Sequence, residues 1–264
     1  MKKYELIDCN IPGMKQVKYS KEFTERMGIS ELGGFIEKES NLSQLGDAQV
    51  EGNAKVSGDA QVEGNARVSD NARVSGNAQV YGNALVYGNA RVYGNARVSG
   101  NAQVYGNARV SGYARVSDNA RILGDAQVSG YARVSDNARV SDNARVSGNA
   151  LVYGNARVYG NAQVYGNAQV EGNAKVSGNA QVYGNALVSG DAWVSIGIHK
   201  SVVINIILPQ FSITYLDTHL QIGCQLKTKG EWKKINPEEA KQLGLKEENF
   251  ELFKNVVSFL TKKI

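Results

Sequence analysis

From Gly46 to Ser195 the chain repeats Gly-Asn-Ala-x-Val-x every six residues, through 25 hexads with no insertion or deletion. The Ala position is Ala in all 25, and the Val position departs from Val only at Ile122. The leading position is Gly in 21 hexads and Asp in four: Asp70, Asp118, Asp136 and Asp142. The second position is Asn in 19 hexads, Asp in four (Asp47, Asp59, Asp125, Asp191) and Tyr in two (Tyr113, Tyr131). Pro, Cys, His and Thr are absent from this block.

Within Ala-x-Val-x the period is two, so Ala and Val point to one side of a strand and the x residues to the other. The x residues are mostly Arg, Gln, Ser and Tyr, which suit solvent. Gly-Asn supplies a corner, because both residues tolerate positive φ. Each hexad therefore reads as one short strand and one corner. A strand of about four residues cannot bury its apolar side alone, so it stacks on a copy of itself. Three edges closing a triangle make a coil of 18 residues, and the 25 hexads give about 8 coils. At ~4.8 Å per coil the prism is roughly 40 Å long, with every strand parallel to the next. Like residues then stack 18 apart, so Asn77, Asn95, Asn149 and their equivalents form side-chain ladders. Disorder would not hold Ala and Val in register, and hairpins would tolerate turns of varying length. Gly is high at 29 and Pro low at 3 of 264 residues, which excludes collagen and a Pro-rich linker.

Residues 1–45 and 196–264 flank the repeat, and we expect them to cap its open strand edges. Ser20 starts a short helix ending at Gly28, and Gly33-Gly34 marks a tight passage into the first coil. Beyond Ser195, strands are expected at 202–208, stopped by Pro209, at 211–216 and at 220–224. Asn236-Pro237-Glu238-Glu239 opens a helix ending at Gly244, and a second helix spans 247–262 with Phe250, Phe253, Val257 and Leu260 on one stripe. The C-terminal cap is thus a small α+β unit. No run of about 18 apolar residues spans a membrane. MKKYELIDCN has no apolar stretch of the signal-peptide kind, so the cytoplasm is the expected compartment, with Cys9 and Cys224 reduced.

Read from Val50, Val-x-x-x-Ala-x resembles the hexapeptide repeat of left-handed parallel β-helix proteins. That resemblance implies a left-handed triangular solenoid. The position after Val departs from many hexapeptide enzymes, being mostly Ser or Tyr here. The flanks, Leu32 to Ser43 before the repeat and Leu220 to Cys224 with Glu231-Trp232 after it, resemble the YdcK-like hexapeptide-repeat proteins. Those occur in bacteria and often in phage or prophage, and many are labelled acyltransferases on fold analogy alone. Two expectations of different class follow for the function, the first from the outward Arg and Tyr with the kind of partner implied by the resemblance, the second from the resemblance alone. One is a scaffold for a host-directed or virion-associated macromolecule, an inhibitor of a host defence system being one version. The other is a coenzyme-A-dependent acyltransferase.

Acyl transfer needs a general base near the acceptor and a groove for coenzyme A. The repeat has no His and no inserted loop; His199 and His219 lie beyond it, and His199 abuts the solenoid. If the chain is an enzyme, His199 is the expected base; otherwise we expect no catalytic residue and no cofactor. Two His and two Cys exclude a three-histidine or four-cysteine metal site within one chain, so no metal is expected. Cys224 reads as a buried small residue. Ice binding would want ranks of Thr, which the repeat lacks.

The binding reading rests on the x positions. Thirteen are basic, and at 18-residue spacing they form ladders: Arg73, Arg91 and Arg109 on one face, Arg97, Arg115 and Arg133 on the second, and Arg121, Arg139, Arg157 and Lys175 on the third. Against 11 acids the repeat carries only 13 − 11 = +2 of the chain's +5. Charge spread over three faces favours a protein partner over nucleic acid, whose ligands concentrate it on one side. The span 71–117 is the exception, with five Arg and no acid. Tyr follows Val in eight hexads, and Tyr beside Arg is interface chemistry. The candidate binding residues are Arg73, Arg91, Arg97, Arg109, Arg115, Tyr87, Tyr93, Tyr105, Tyr159 and Tyr165. A homodimer or homotrimer packed through these faces is the third expectation.

Overall fold

Each hexad folds as one two-residue strand and one corner. The computed structural model describes residues 2–195, 198–199, 204–207, 212–215, 219–222, 225–242 and 246–261. Strands β1 (Tyr4–Asp8) and β2 (Lys15–Tyr19) pair antiparallel, helix α1 (Lys21–Met27) follows, and β3 (Leu32–Ile36) leads into the solenoid. Strands β4 (Gln49–Val50) to β28 (Trp193–Val194) then recur every six residues. Each pairs in parallel with the strands 18 residues away, as Arg91 does with Arg73 and Arg109. Three sheets result. The first face runs β5, β8 and on to β26, the second β6, β9 and on to β27, and the third β4, β7 and on to β28.

Every Ala and Val of the repeat, with Ile122, is fully buried, so the interior is one column of small aliphatics. The leading position is left-handed in all hexads, with φ of +57 to +71° for Gly and +57 to +59° for the four Asp. A Cβ on Gly88 would stand 3.1 Å from the backbone of Gly106, so the corners stack at backbone contact. The second residue holds the corner by hydrogen bonds rather than by positive φ. Asn77 donates its backbone N–H to Gly94 O (2.7 Å) and its Nδ2 to Asn95 Oδ1 (3.2 Å). The same side-chain bond joins Asn149 to Asn167, at 3.0 Å.

The coil stack starts before the hexads do. β3 pairs in parallel with Lys55–Val56, and Leu42 bridges Val62. The third face alone holds nine strands, so the solenoid has about nine coils rather than eight. The first full coil offers six inward-series carbonyls that have no preceding hexad to bond, and every one is satisfied. Phe35 and Glu37 N–H groups donate to Ala54 and Val56, and Ser43 N–H donates to Val62. The other three use side chains. Asn41 Nδ2 donates to Ala60 O (2.8 Å), Lys3 Nζ to Ala48 O (2.9 Å) and Tyr19 Oη to Val50 O (3.1 Å). Tyr19 Oη also accepts from Val50 N–H, at 2.7 Å. Ser20 caps α1 and Gly28 ends it at φ +65°, as expected. Gly33 and Gly34 are needed because a Cβ on either would meet carbonyl oxygens of Val50 or Ala54 at 2.6–2.7 Å.

Beyond β29 (Ile198–His199), which pairs with Gln181–Val182, the C-terminal part is α+β. Strands β30 (Ile204–Ile207), β31 (Ser212–Tyr215), β32 (His219–Ile222) and β33 (Gln225–Thr228) form an antiparallel sheet. Helices α2 (Lys229–Lys233), α3 (Pro237–Gln242) and α4 (Phe250–Thr261) follow. Ile213, Leu220, Trp232, Phe253 and Val257 make its core, with Trp232 Nε1 donating to Leu220 O at 2.6 Å. Asn236 caps α3 by accepting from Glu239 N–H (2.9 Å). The expected elements are present, and β33 and α2 are additions. Thr228 ends the one and caps the other through a reciprocal bond with Glu231. Pro209, Cys224 and Gly244 lie outside the described residues.

Candidate interaction surface

The ladders stand as strand register dictates. Arg73, Arg91 and Arg109 occupy adjacent rungs of the first face, all exposed. Arg97 and Arg115 stand on the second face, with Arg133 on the next rung. Tyr93 and Tyr165 belong to the first face, four rungs apart; Tyr87, Tyr105 and Tyr159 belong to the third. The ten candidate residues therefore divide among three faces. The structure brings one subset together: Arg73, Ser75, Arg91, Tyr93 and Arg109 line a shallow groove of about 280 Å³.

Among the described residues these arginines form no ion pair, unlike Arg67 with Glu51 (3.3 Å) or Arg26 with Asp47 (2.7 Å). Like charges on directly paired strands are destabilising. Water and salt lower that cost without removing it.

Tyrosines 18 residues apart stack face to face. Ring centroids lie 4.8 Å apart in Tyr87–Tyr105 and Tyr165–Tyr183, and 4.9 Å in Tyr113–Tyr131. Burial, then the neighbouring Tyr105, raises the Tyr87 hydroxyl pKa, and Arg121 opposes this. Tyr153 is pushed up to about 12, chiefly by its hydrogen bond to the Glu171 carboxylate. Tyr113 and Tyr131 were not among the expected binding residues, yet they are more exposed than any other tyrosine of the solenoid, at 52% and 61%. Their signal was legible: two Tyr at the Asn position, one coil apart. They stand on the edge between the first and second faces, Tyr113 between Arg109 and Arg115 and Tyr131 between Gln127 and Arg133.

Corner acids avoid that edge beyond the first coil, where Asp59 pairs with Lys38. Asp70, Asp125 and Asp142 lie between the third and first faces, and Asp118 and Asp136 between the second and third. From Gly76 to Asn185 the corners between the first and second faces carry no acid. The leading-position Asp residues have a structural role. Asp70, Asp136 and Asp142 carboxylates accept the backbone N–H of Gly88, Gly154 and Gly160 in the next coil, at 2.9–3.0 Å.

His199 pairs by its backbone with Val182 on the first face's last rung, and its side chain lies outside the described residues. His219 sits on β32 opposite Thr228. At the other end, Lys2, Lys3, Phe23, Arg26, Gln44 and Asp47 line part of a cavity of about 420 Å³. Burial lowers the Lys3 ammonium to about 8.

A family model, the YdcK β-solenoid repeat, matches in overlapping stretches from residue 66 to residue 130, then at 132–160, 162–178 and 180–195. Residues 66–195 are thus similar to the YdcK β-solenoid repeat. The matched segment of this YdcK-type solenoid contains every candidate binding residue, Arg73 to Tyr165. No curated protein matches the chain. No helix among the described residues is long and apolar enough to cross a membrane.

Proposed function

We propose that the protein is a rigid, non-enzymatic scaffold that binds a macromolecular partner, a protein, through its Arg- and Tyr-bearing faces. The observation that carries this is the first-face ladder: three stacked, exposed arginines in a groove with Tyr93, and no carboxylate paired with them among the described residues. Such a row costs stability in the free protein, and an acidic partner would offset that cost. Exposed tyrosines add contact area at little loss of side-chain entropy. The resemblance to proteins met in phage and prophage supports a partner in the bacterial cytoplasm, a host defence protein among them.

The test is capture of partners from bacterial lysate by the wild type and by a variant with Arg91, Arg97, Arg109 and Arg115 all changed to Glu. The variant is expected to lose specific partners that the wild type retains at low salt and releases as salt is raised. An unchanged partner set sinks the reading. Acetyl-coenzyme A titrated into the protein is expected to give no saturable heat; micromolar binding with turnover that His199→Ala abolishes would establish the acyltransferase instead.

A further inference from the structure

The first-face groove has a definite pitch. Stacked tyrosines measure it directly: 4.8–4.9 Å per coil along the solenoid axis. Arg73, Arg91 and Arg109 therefore offer cationic rungs at about 0, 4.8 and 9.6 Å. An α-helix carrying carboxylates at i, i+3 and i+7 offers them at about 0, 4.5 and 10.5 Å. An extended strand offers same-side carboxylates at about 0, 6.7 and 13.4 Å, and by the third it has slipped most of a rung.

The geometry points to an acidic α-helix of the partner, laid along the solenoid axis in the groove of Arg73, Arg91 and Arg109. This rests on the binding reading above and names the element that the site takes. Tyr93, two residues beyond Arg91 on the same coil, lines the same groove and supplies an aromatic contact beside the middle charged rung. The bordering edge, between the first and second faces, adds the exposed Tyr113–Tyr131 pair and carries no corner acid from Gly76 to Asn185. These two rings lie 6° from parallel at 4.9 Å, so each covers one face of the other. What they offer outward is mainly ring edges and hydroxyls, which suits packing against side chains better than stacking of nucleobases.

The experiment uses the full chain and two labelled alanine-rich peptides of about 20 residues, long enough to be helical. Both have the same composition. One carries Glu in a single stripe at i, i+3, i+7, i+10 and i+14; the other has its Glu dispersed around the helix. Circular dichroism confirms equal helicity. A thymidine oligonucleotide of equal charge is the third probe. The striped peptide is expected to bind about tenfold more tightly than the dispersed one, several small charge pairs acting together. Arg91→Glu with Arg109→Glu should abolish that preference, Tyr93→Ala should weaken binding, and Arg139→Glu with Arg157→Glu on the third face should leave it intact. Equal binding of the two peptides, or equal loss in the third-face variant, overturns the helix assignment. Tighter binding of the oligonucleotide assigns the groove to nucleic acid and overturns it as well. If the peptides show no preference while lysate partners still depend on the arginines, the helix inference alone has failed. If neither depends on them, the binding reading has failed too.

Discussion

At the scale of the residue, the corner decides what each position tolerates. Gly106 adopts φ +71°, and a Cβ there would stand 3.1 Å from Gly124 N and O. Gly106→Ala is therefore expected to lower stability by about 1–2 kcal/mol, the usual cost of a left-handed residue with a Cβ. Gly106→Asp should cost less, because its carboxylate can accept the next corner's N–H as Asp70 does from Gly88. Urea melts of the two variants check the order; an Asp variant weaker than the Ala variant would refute that role for the carboxylate. Lys3 makes a prediction in pH. Its folded pKa is about 8 against an ordinary 10.5. Between those values the unfolded chain holds more protons, so stability rises with pH across that window. At neutral pH and below, both states are protonated and the burial penalty is present in full. Lys3→Met should lack the rise, measured as the difference between wild-type and variant melts from pH 7.5 to about 10.

At the scale of the element, a rung is too short to be stable alone, and ladder partners set its energy. Arg91 stands between Arg73 and Arg109 with no counter-charge paired to it among the described residues. Arg91→Gln should therefore raise stability by about 0.2–1 kcal/mol, the cost of like charges directly opposite in a sheet. The gain should shrink as salt rises from about 0.05 to 0.5 M, because screening already relieves the wild type. A destabilised variant at low salt would show that the ladder is neutralised by something other than solvent ions. Gains in stability with loss of binding are the pattern expected of a row kept for function. The row's membership was readable from the 18-residue period alone. The edge that Tyr113 and Tyr131 make with it does not follow from the strand pattern, because those residues occupy the corner position rather than the outward strand positions.

At the scale of the whole molecule, the limiting problem is the open end of a parallel stack. Lys3, Tyr19 and Asn41 close three carbonyls of the first coil, and backbone N–H groups close three more. Removal of residues 2–31 would strip Lys3 and Tyr19 from Ala48 and Val50 and expose the first strand of the third face. The truncated protein is expected to self-associate, since an unpaired edge templates further strands. Light scattering against concentration measures this, and a truncation that stays as small as the full chain would refute the capping role. Tyr19→Phe, which removes the hydroxyl but keeps the ring, should cost about 1–3 kcal/mol through the two bonds left unmade to Val50.

The amino-acid sequence by itself determined the solenoid: strand and corner, the Ala/Val column, the coil length and the ladders. Each of those is a local decision repeated in every hexad, and closing a triangle of equal edges leaves one register for the whole stack. Only the tertiary structure decided how the stack begins and which exposed side chains share an edge. The capping contacts join residues 45, 31 and 19 positions apart, from segments with no period to read. The extra coil rests on β3 and Leu42, which pair like hexads without resembling them. The ten expected binding residues look like one class because they occupy the two outward positions of the hexad, Arg after Ala and Tyr after Val. Three-dimensional closure splits them, since a change of six residues moves a side chain to another face while a change of 18 moves it one rung along the same face.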